Sequence, residues 1–166
     1  MLRPATAADF PFIRGVAASP DHAPFITDED EAALGSYLAD PASQLLIWEA
    51  DGERQGFALF CEIGEPSGRV ELRRLALASV GGGQGQRFLR VLVDHAFGTL
   101  GAARLWLDAS GENPRALRTY ARAGFTLEGR LRQHWFRPAL GRVVDLVLFG
   151  MLRADWESLE PLPARA

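Results

Sequence analysis

The chain has no lysine; all 18 basic residues among its 166 are arginines. That absence removes every chemistry that rests on a lysine amine, from Schiff-base catalysis to the lysine of a phosphate-binding P-loop. Cysteine is nearly as scarce, and Cys61 alone cannot form an internal disulfide. The three dispersed histidines, His22, His95 and His134, show no metal-ligand spacing, so no metal site is expected. Long apolar runs are missing as well. The most hydrophobic stretch, Val143 to Leu152, is too short to span a bilayer and carries Asp145, and the opening MLRPATAADF has no apolar signal core. A cytoplasmic protein without a membrane partner is expected.

What is present is ordinary for a globular chain: 48% hydrophobic and 23% charged residues, over a length that suits one domain spanning residues 1–166 with a frayed tail over 157–166. The charges are divided unevenly. Residues 1–68 carry twelve acids against three arginines, and residues 69–166 carry nine acids against fifteen arginines. The second part suits an anion and the first a cation, unless the asymmetry cancels in three dimensions.

Periodicity and punctuation place the elements. LRPAT opens as a short strand, and Thr6 or Asp9 caps a helix through about Ala18. ITDEDEAALGSYLAD reads as a second helix with Thr27 as its cap. SQLLIWEA, the turn DGER and QGFALFCEI form a hairpin, and GRVELRRLALAS is the next strand. Gln84 to about Leu100 keeps its apolar residues on one helical face. ARLWLDAS is a strand, and NPRALRTYARAG is a helix with Asn113 as cap, Pro114 at its first position and Gly124 at its end. FTLEGRLRQHWF and RVVDLVLFGML close the order as strands, giving a mixed sheet with helices on both faces.

Two adjoining features point to a ligand. Val70 and Leu72, then Leu75 and Leu77, are spaced by two, but the period slips by one residue at Arg73 and Arg74. Such a slip marks a β-bulge, unless the two arginines simply snorkel at a sheet edge. A bulge unpairs backbone groups and bends the strand, opening a cleft that leads into SVGGGQGQRFLRVL, where Gly81, Gly82, Gly83 and Gly85 precede a helix. A glycine cluster means a tight turn or something that must approach the backbone closely. The dinucleotide pattern G-x-G-x-x-G fails, because its last position falls on Gln86 or Phe88. What remains is a strand, G-x-G at Gly83 and Gly85, and a helix N-terminus whose free N–H groups suit a pyrophosphate. The expected cofactor contacts run over Val80, Gly81, Gly82, Gly83, Gln84, Gly85 and Gln86, with Arg87 or Arg90 adding charge.

These residues resemble the GNAT superfamily of acyl-CoA-dependent N-acetyltransferases, over nearly the whole chain. The family pattern for the CoA pyrophosphate loop, Q/R-x-x-G-x-G/A, falls on VGGGQG from Val80 to Gly85, with Val80 in place of Gln or Arg. NPRALRTYARAGF is similar to the family's N-x-x-A-x-x-x-Y-x-x-x-G-F, with Asn113, Ala116, Tyr120, Gly124 and Phe125 in place. LRPAT and DGERQGFALF resemble its opening strand and hairpin, and EGRLR, GRVVD and LRADW resemble the branch acting on protein N-termini, polyamines and small amines. The resemblance implies an α/β (α+β) fold with a mixed, mostly antiparallel sheet flanked by helices and a bulged, splayed central strand. It implies a transferase that moves the acetyl group of acetyl-CoA to a primary amine by direct attack in a ternary complex, releasing CoA. The acceptor would be a small-molecule amine or a protein N-terminus, with no direct nucleic-acid partner, and the enzyme a monomer or homodimer. A non-catalytic acyl-CoA sensor on the same fold is the alternative.

Acetyl transfer needs a polarised thioester, a neutral amine and an acid for the leaving thiolate. Backbone N–H groups near Leu75, Ala76 and Leu77 suit the pantetheine and the carbonyl. Tyr120 suits the acid, or is a core aromatic; Asn113 is a plain helix cap or, by the resemblance, also a cofactor contact together with Ala116. Glu71 suits the base, or is a strand glutamate paired with Arg73; Glu112, Asp108 and Asp145 are further candidates, and His134 reads as structural. A base matters most for an amine of pKa about 10.4, which costs roughly 4.6 kcal/mol to deprotonate at pH 7, against about 1 kcal/mol for an α-amine. For the acceptor, the acidic run holding Asp28 and Glu31 forms a rim or simply the charged start of a helix, and Trp135 flanks it.

Overall fold

Alternating apolar residues along seven segments build one seven-stranded sheet in the computed structural model, which describes residues 1–160. The end of the expected frayed tail, 161–166, lies outside the described residues. The strands are β1 (Leu2–Pro4), β2 (Gln44–Ala50), β3 (Glu53–Cys61), β4 (Arg69–Leu77), β5 (Arg104–Ser110), β6 (Thr126–Arg137) and β7 (Arg142–Leu152). Their order in space is β1-β2-β3-β4-β5-β7-β6. Every neighbouring pair is antiparallel except β4 and β5.

The β2–β3 hairpin closes through Asp51 and Gly52, both at positive φ as a two-residue turn requires. Helix α1 (Phe10–Ala17) follows a 3-10 turn in which Thr6 and Asp9 form a capping box. Helix α2 (Glu31–Ala39) begins later than its sequence suggests. Asp30 is its cap, accepting from the Ala33 N–H at 2.8 Å, because Thr27 Oγ1 is engaged by Arg137. Helix α3 (Gln84–Asp94) runs into a π-helical turn, His95–Thr99, within the expected Gln84–Leu100 span. In α4 (Pro114–Arg122) Asn113 Oδ1 accepts from the Ala116 N–H at 3.1 Å, and Gly124 follows the helix at φ +95°. A short helix α5 (Arg153–Glu157) in the LRADW stretch had no periodic signal long enough to read.

The helices divide between the faces. Phe88, Leu89, Leu92 and Val93 of α3 pack with Leu72, Leu105, Leu107 and Phe149 of the sheet on one side. Ile13 and Val16 of α1 pack with Ile47, Phe57 and Leu59 on the other. Each such side chain contributes on the order of 1.5–3 kcal/mol by leaving water, so both layers hold the sheet on either side of a short-paired central seam. That seam lies between β4 and β5, whose parallel pairing covers only Arg69–Glu71 against Arg104–Trp106. Beyond Glu71 the two strands part.

Candidate active site

The parting of β4 from β5 accompanies the slip read in the sequence. Leu59 pairs with Arg74 and Phe60 with Leu72, which leaves Arg73 as the extra residue of a bulge. The extra residue resets the alternation. Val70, Leu72 and Leu77 therefore pack on the α3–α4 face, with partly buried Leu75 beside them, while Ala76 packs on the α1–α2 face. A cleft of about 630 Å³ passes through the fork and is lined from both faces, by Leu72, Leu75 and Tyr120 on one side and Glu71, Arg74 and His22 on the other. Two reactants entering from opposite faces would meet where the strands separate.

At the α3–α4 end lies the glycine loop. Gly83 is the left-handed cap of α3 at φ +74°, a conformation that L side chains rarely adopt. Gly85 is different. It lies within the helix, where glycine costs about 1 kcal/mol against alanine, and a Cβ added there would meet nothing within 4 Å. Neither packing nor backbone geometry in the protein asks for glycine at this position; an approaching ligand would. Val80, Gly81, Gly83, Gly85 and Gln86 line the cleft, whereas Gly82, Gln84 and Arg87 do not. Gln86 ties the start of α3 to α4 through its Nε2, which donates to the Thr119 carbonyl at 2.9 Å. Asn113 and Ala116 line the same end, and so do Leu75, Ala76 and Leu77 on the strand edge that β5 has left. The Leu77 carbonyl contacts His22 Nε2 at 2.8 Å, a buried contact between residues 55 apart that no local pattern announces.

Tyr120 joins the two sequence readings of it. Its ring packs edge-on against Phe149 at 5.6 Å and near Phe125 at 6.2 Å, as a core aromatic does, yet the residue also lines the cleft. Burial first, and the charge of Asp108 second, push the phenol above its ordinary range, so it keeps its proton at neutral pH.

The other end of the cleft is charged. Glu71 is 7% exposed, and its Oε2 accepts from Arg73 Nη2 at 2.6 Å and Nε at 2.9 Å. Asp108 on β5 also lines the cleft, and burial together with the Glu71 charge pushes its carboxyl up to about 6, against the pull of Arg73, Arg74 and His134. The remaining carboxylate candidates are engaged elsewhere. Glu112 pairs with Arg142, and Asp145 accepts from Arg130 at 2.7 Å and from the Gln133 N–H at 2.9 Å; neither lines the cleft. Asp145 instead holds a bulge in β6, where the register passes from Leu131 opposite Leu146 to Trp135 opposite Val144 and Gln133 takes φ +49°. His134 and Trp135, next to it, line the cleft.

The acidic run is largely neutralised. Asp28 pairs with Arg14 at 3.2 Å, Glu29 with Arg74 at 3.0 Å, and Asp30 caps α2, while Glu31 is an exposed first-turn residue. None of the four lines the cleft, so Asp28 and Glu31 do not form the expected rim. The preceding loop contributes Phe25, Ile26 and Thr27 instead. Arg137, 3% exposed, fastens this loop to β6 and lies over the Trp135 ring at 4.1 Å.

Residues 7–125 match the model of the acetyltransferase (GNAT) family. The chain belongs to this family. It is 32% identical to an uncharacterized N-acetyltransferase of Mycobacterium tuberculosis over 133 residues, 77% of this chain and 83% of that one. Spermidine N(1)-acetyltransferase of Escherichia coli is 28% identical over 101 residues, 60% of this chain and 54% of the relative. The fold is that of a spermidine N-acetyltransferase from Vibrio cholerae solved with CoA and spermine, with a TM-score of 0.81 at 20% identity over 95% of this chain and 98% of that one. The protein is an acetyl-CoA-dependent N-acetyltransferase with a mostly antiparallel mixed sheet, and acetyl-CoA is its acetyl donor. Among the described residues, no cluster of three or more His, Cys, Asp or Glu is placed to hold a metal, and no helix is long and apolar enough to cross a membrane.

Proposed function

We propose that the cleft transfers an acetyl group to a small primary amine by direct attack in a ternary complex. The donor lies along the glycine loop and the acceptor enters from the α1–α2 face. The observation that carries this reading is the continuity of one cleft from Gly83 and Gly85 through the fork to Glu71 and Asp108. Acetyl-CoA supplies an activated thioester. The first-turn N–H groups of α3 and the open space at Gly85 take the pyrophosphate, and the unpaired edge of β4 between Leu75 and Leu77 pairs with the pantetheine and polarises the carbonyl. Tyr120 keeps a proton available for the leaving thiolate, and a carboxylate at the fork takes one from the amine. Kinship with spermidine acetyltransferases supports a small amine as acceptor, ahead of a protein N-terminus.

The test is thiol release from acetyl-CoA with three acceptors: spermidine, the monoamine tyramine, and a hexapeptide with a free α-amine. Turnover with spermidine or tyramine is expected. Turnover with the peptide alone would move the acceptor to protein N-termini, and release with none of the three would overturn the reading.

A further inference from the structure

The charged groups around the fork pair off almost completely. Glu71 Oε2 accepts from Arg73 at 2.6 and 2.9 Å. Arg74, which lines the cleft, is held by both oxygens of Glu29 at 3.0 Å, and the Tyr37 hydroxyl donates to the same carboxylate at 3.1 Å. Asp108 is left over: it lines the cleft and has no hydrogen-bond or ion-pair partner among the described residues. A partly buried carboxylate is costly unless a cation answers it, so the cleft suits one ammonium.

A second ammonium would find no such partner. Among the described residues, Glu71 and Asp108 are the acids that line the cleft, while Asp28 pairs with Arg14 and Asp30 caps α2. Arg137 adds a positive charge that no carboxylate balances, since its acceptors are three carbonyls and the Thr27 hydroxyl. Burial first, and the like charge of Arg74 second, lower its hold on the proton. Its guanidinium also lies over the Trp135 ring at 4.1 Å, and so occupies an aromatic face that could otherwise take a cation. What the wall offers instead is apolar contact. Phe25 and Ile26 of the α1–α2 connection and Trp135 of β6 line the cleft, and Arg137 joins the connection to β6 beside that ring.

We infer that the preferred acceptor is a primary monoamine with an apolar, aromatic body, whose ammonium is answered by Asp108 and whose body lies against Phe25, Ile26 and Trp135. This inference rests on the proposed transferase reading of the cleft and narrows its acceptor. A polyamine brings further ammonium groups into a wall that already holds Arg74 and Arg137, and each is repelled there. Arg74 sets this selectivity, because it keeps Glu29 from serving a second cation. Without it, a carboxylate that Tyr37 still orients would stand free beside the cleft.

The experiment measures thiol release from acetyl-CoA with n-pentylamine, cadaverine and 3-phenylpropylamine, as kcat/KM per unprotonated amine, in wild type and Arg74→Gln. Pentylamine and cadaverine share a five-carbon chain and differ by one terminal ammonium. Wild type should prefer pentylamine to cadaverine by at least about tenfold, and 3-phenylpropylamine to pentylamine by about tenfold. Arg74→Gln should raise the ratio of cadaverine to pentylamine about tenfold. Cadaverine at or above pentylamine in wild type overturns the inference, and so does pentylamine at or above 3-phenylpropylamine. An unchanged ratio in an Arg74→Gln protein that binds acetyl-CoA normally also overturns it; if that variant does not fold, the two wild-type ratios decide. Turnover of the free-amine hexapeptide alone refutes the monoamine and leaves the transferase reading standing. Failure of wild type with every acceptor is a different result, which removes both together.

Discussion

Arg137 on β6 donates to Thr27 Oγ1 at 3.2 Å, and the same guanidinium reaches the carbonyls of Ala23, Pro24 and Ile26 at 2.9 to 3.0 Å. One buried cation thus holds four residues of the α1–α2 connection. Burial lowers its affinity for the proton, but an arginine stays charged under any physiological condition. Phe25, Ile26 and Thr27 line the cleft, so the clamp fixes the shape of a wall that the proposed reading gives to the acceptor. Arg137→Ala should destabilise the protein by about 2 kcal/mol in urea denaturation, since four partly buried acceptors lose a charged donor. At a temperature where the variant is still folded, the acceptor KM should rise about tenfold while the KM for acetyl-CoA stays near wild type. Equal increases in both constants would show that the loop does not shape the acceptor site.

Gly85 allows the loop to be tested without straining the backbone. Its conformation is helical and the space beside it is empty, so Gly85→Ala should raise the urea midpoint, by up to about 1 kcal/mol of stability. A methyl group on the first turn of α3 would at the same time obstruct a pyrophosphate, and CoA affinity by calorimetry should fall about tenfold. A variant that is more stable yet binds CoA as well as wild type would place the cofactor elsewhere. Gly83→Ala is a poorer probe, because φ +74° makes it lose stability whatever the loop binds.

The bulge, the glycine loop and the α4 cap were legible because each is a local pattern: a slipped period of two, a glycine cluster before a helical period, and Asn-Pro followed by Gly. Glu71, Tyr120, Asn113 and Trp135 come together on one cleft, as does the runner-up Asp108. The long-range pairings were not legible. The acidic run could be read as a rim or as the charged start of a helix because the partners of Asp28 and Glu29, Arg14 and Arg74, are 14 and 45 residues away in sequence. Thr27 looked like a helix cap because its competing donor, Arg137, is 110 residues distant. Composition shows the number of charges, whereas their partners follow only from sheet order and loop paths.

Tyr120→Phe removes one proton and keeps the ring that packs on Phe149 and Phe125. The ring packing is retained, so stability should change by less than about 1 kcal/mol. Turnover should fall at least about tenfold with little change in the acetyl-CoA KM, because the acid acts on the leaving group and not on binding. A thioester donor with a more acidic thiol than CoA should recover part of the loss, since its thiolate needs the proton less. Wild-type turnover with acetyl-CoA in this variant would leave Tyr120 only its packing role.

Asp108 also links the site to stability, and the direction of the effect separates it from an ordinary surface carboxylate. Its folded-state value of about 6 lies above the 3.8 of an unperturbed aspartate. Between these values the native protein holds a proton that the unfolded chain has released, so stability falls as pH rises through the window from 3.8 to about 6. Above it the ionised carboxylate costs the native state roughly 2 kcal/mol, allowing for its partial exposure to water. Asp108→Asn removes that cost, so the variant should be more stable than wild type at pH 7 by about this amount, with the difference shrinking toward zero at pH 4. Urea midpoints at the two pH values measure it, and carboxylates such as Asp9, whose pairing with Arg3 holds it well below the usual range, cancel in the comparison. A difference of the opposite sign at pH 7 would mean that Asp108 gains more from its surroundings as an anion than burial costs it. The gain in stability should accompany the loss of turnover, as expected where a fold retains a destabilising group for its chemistry.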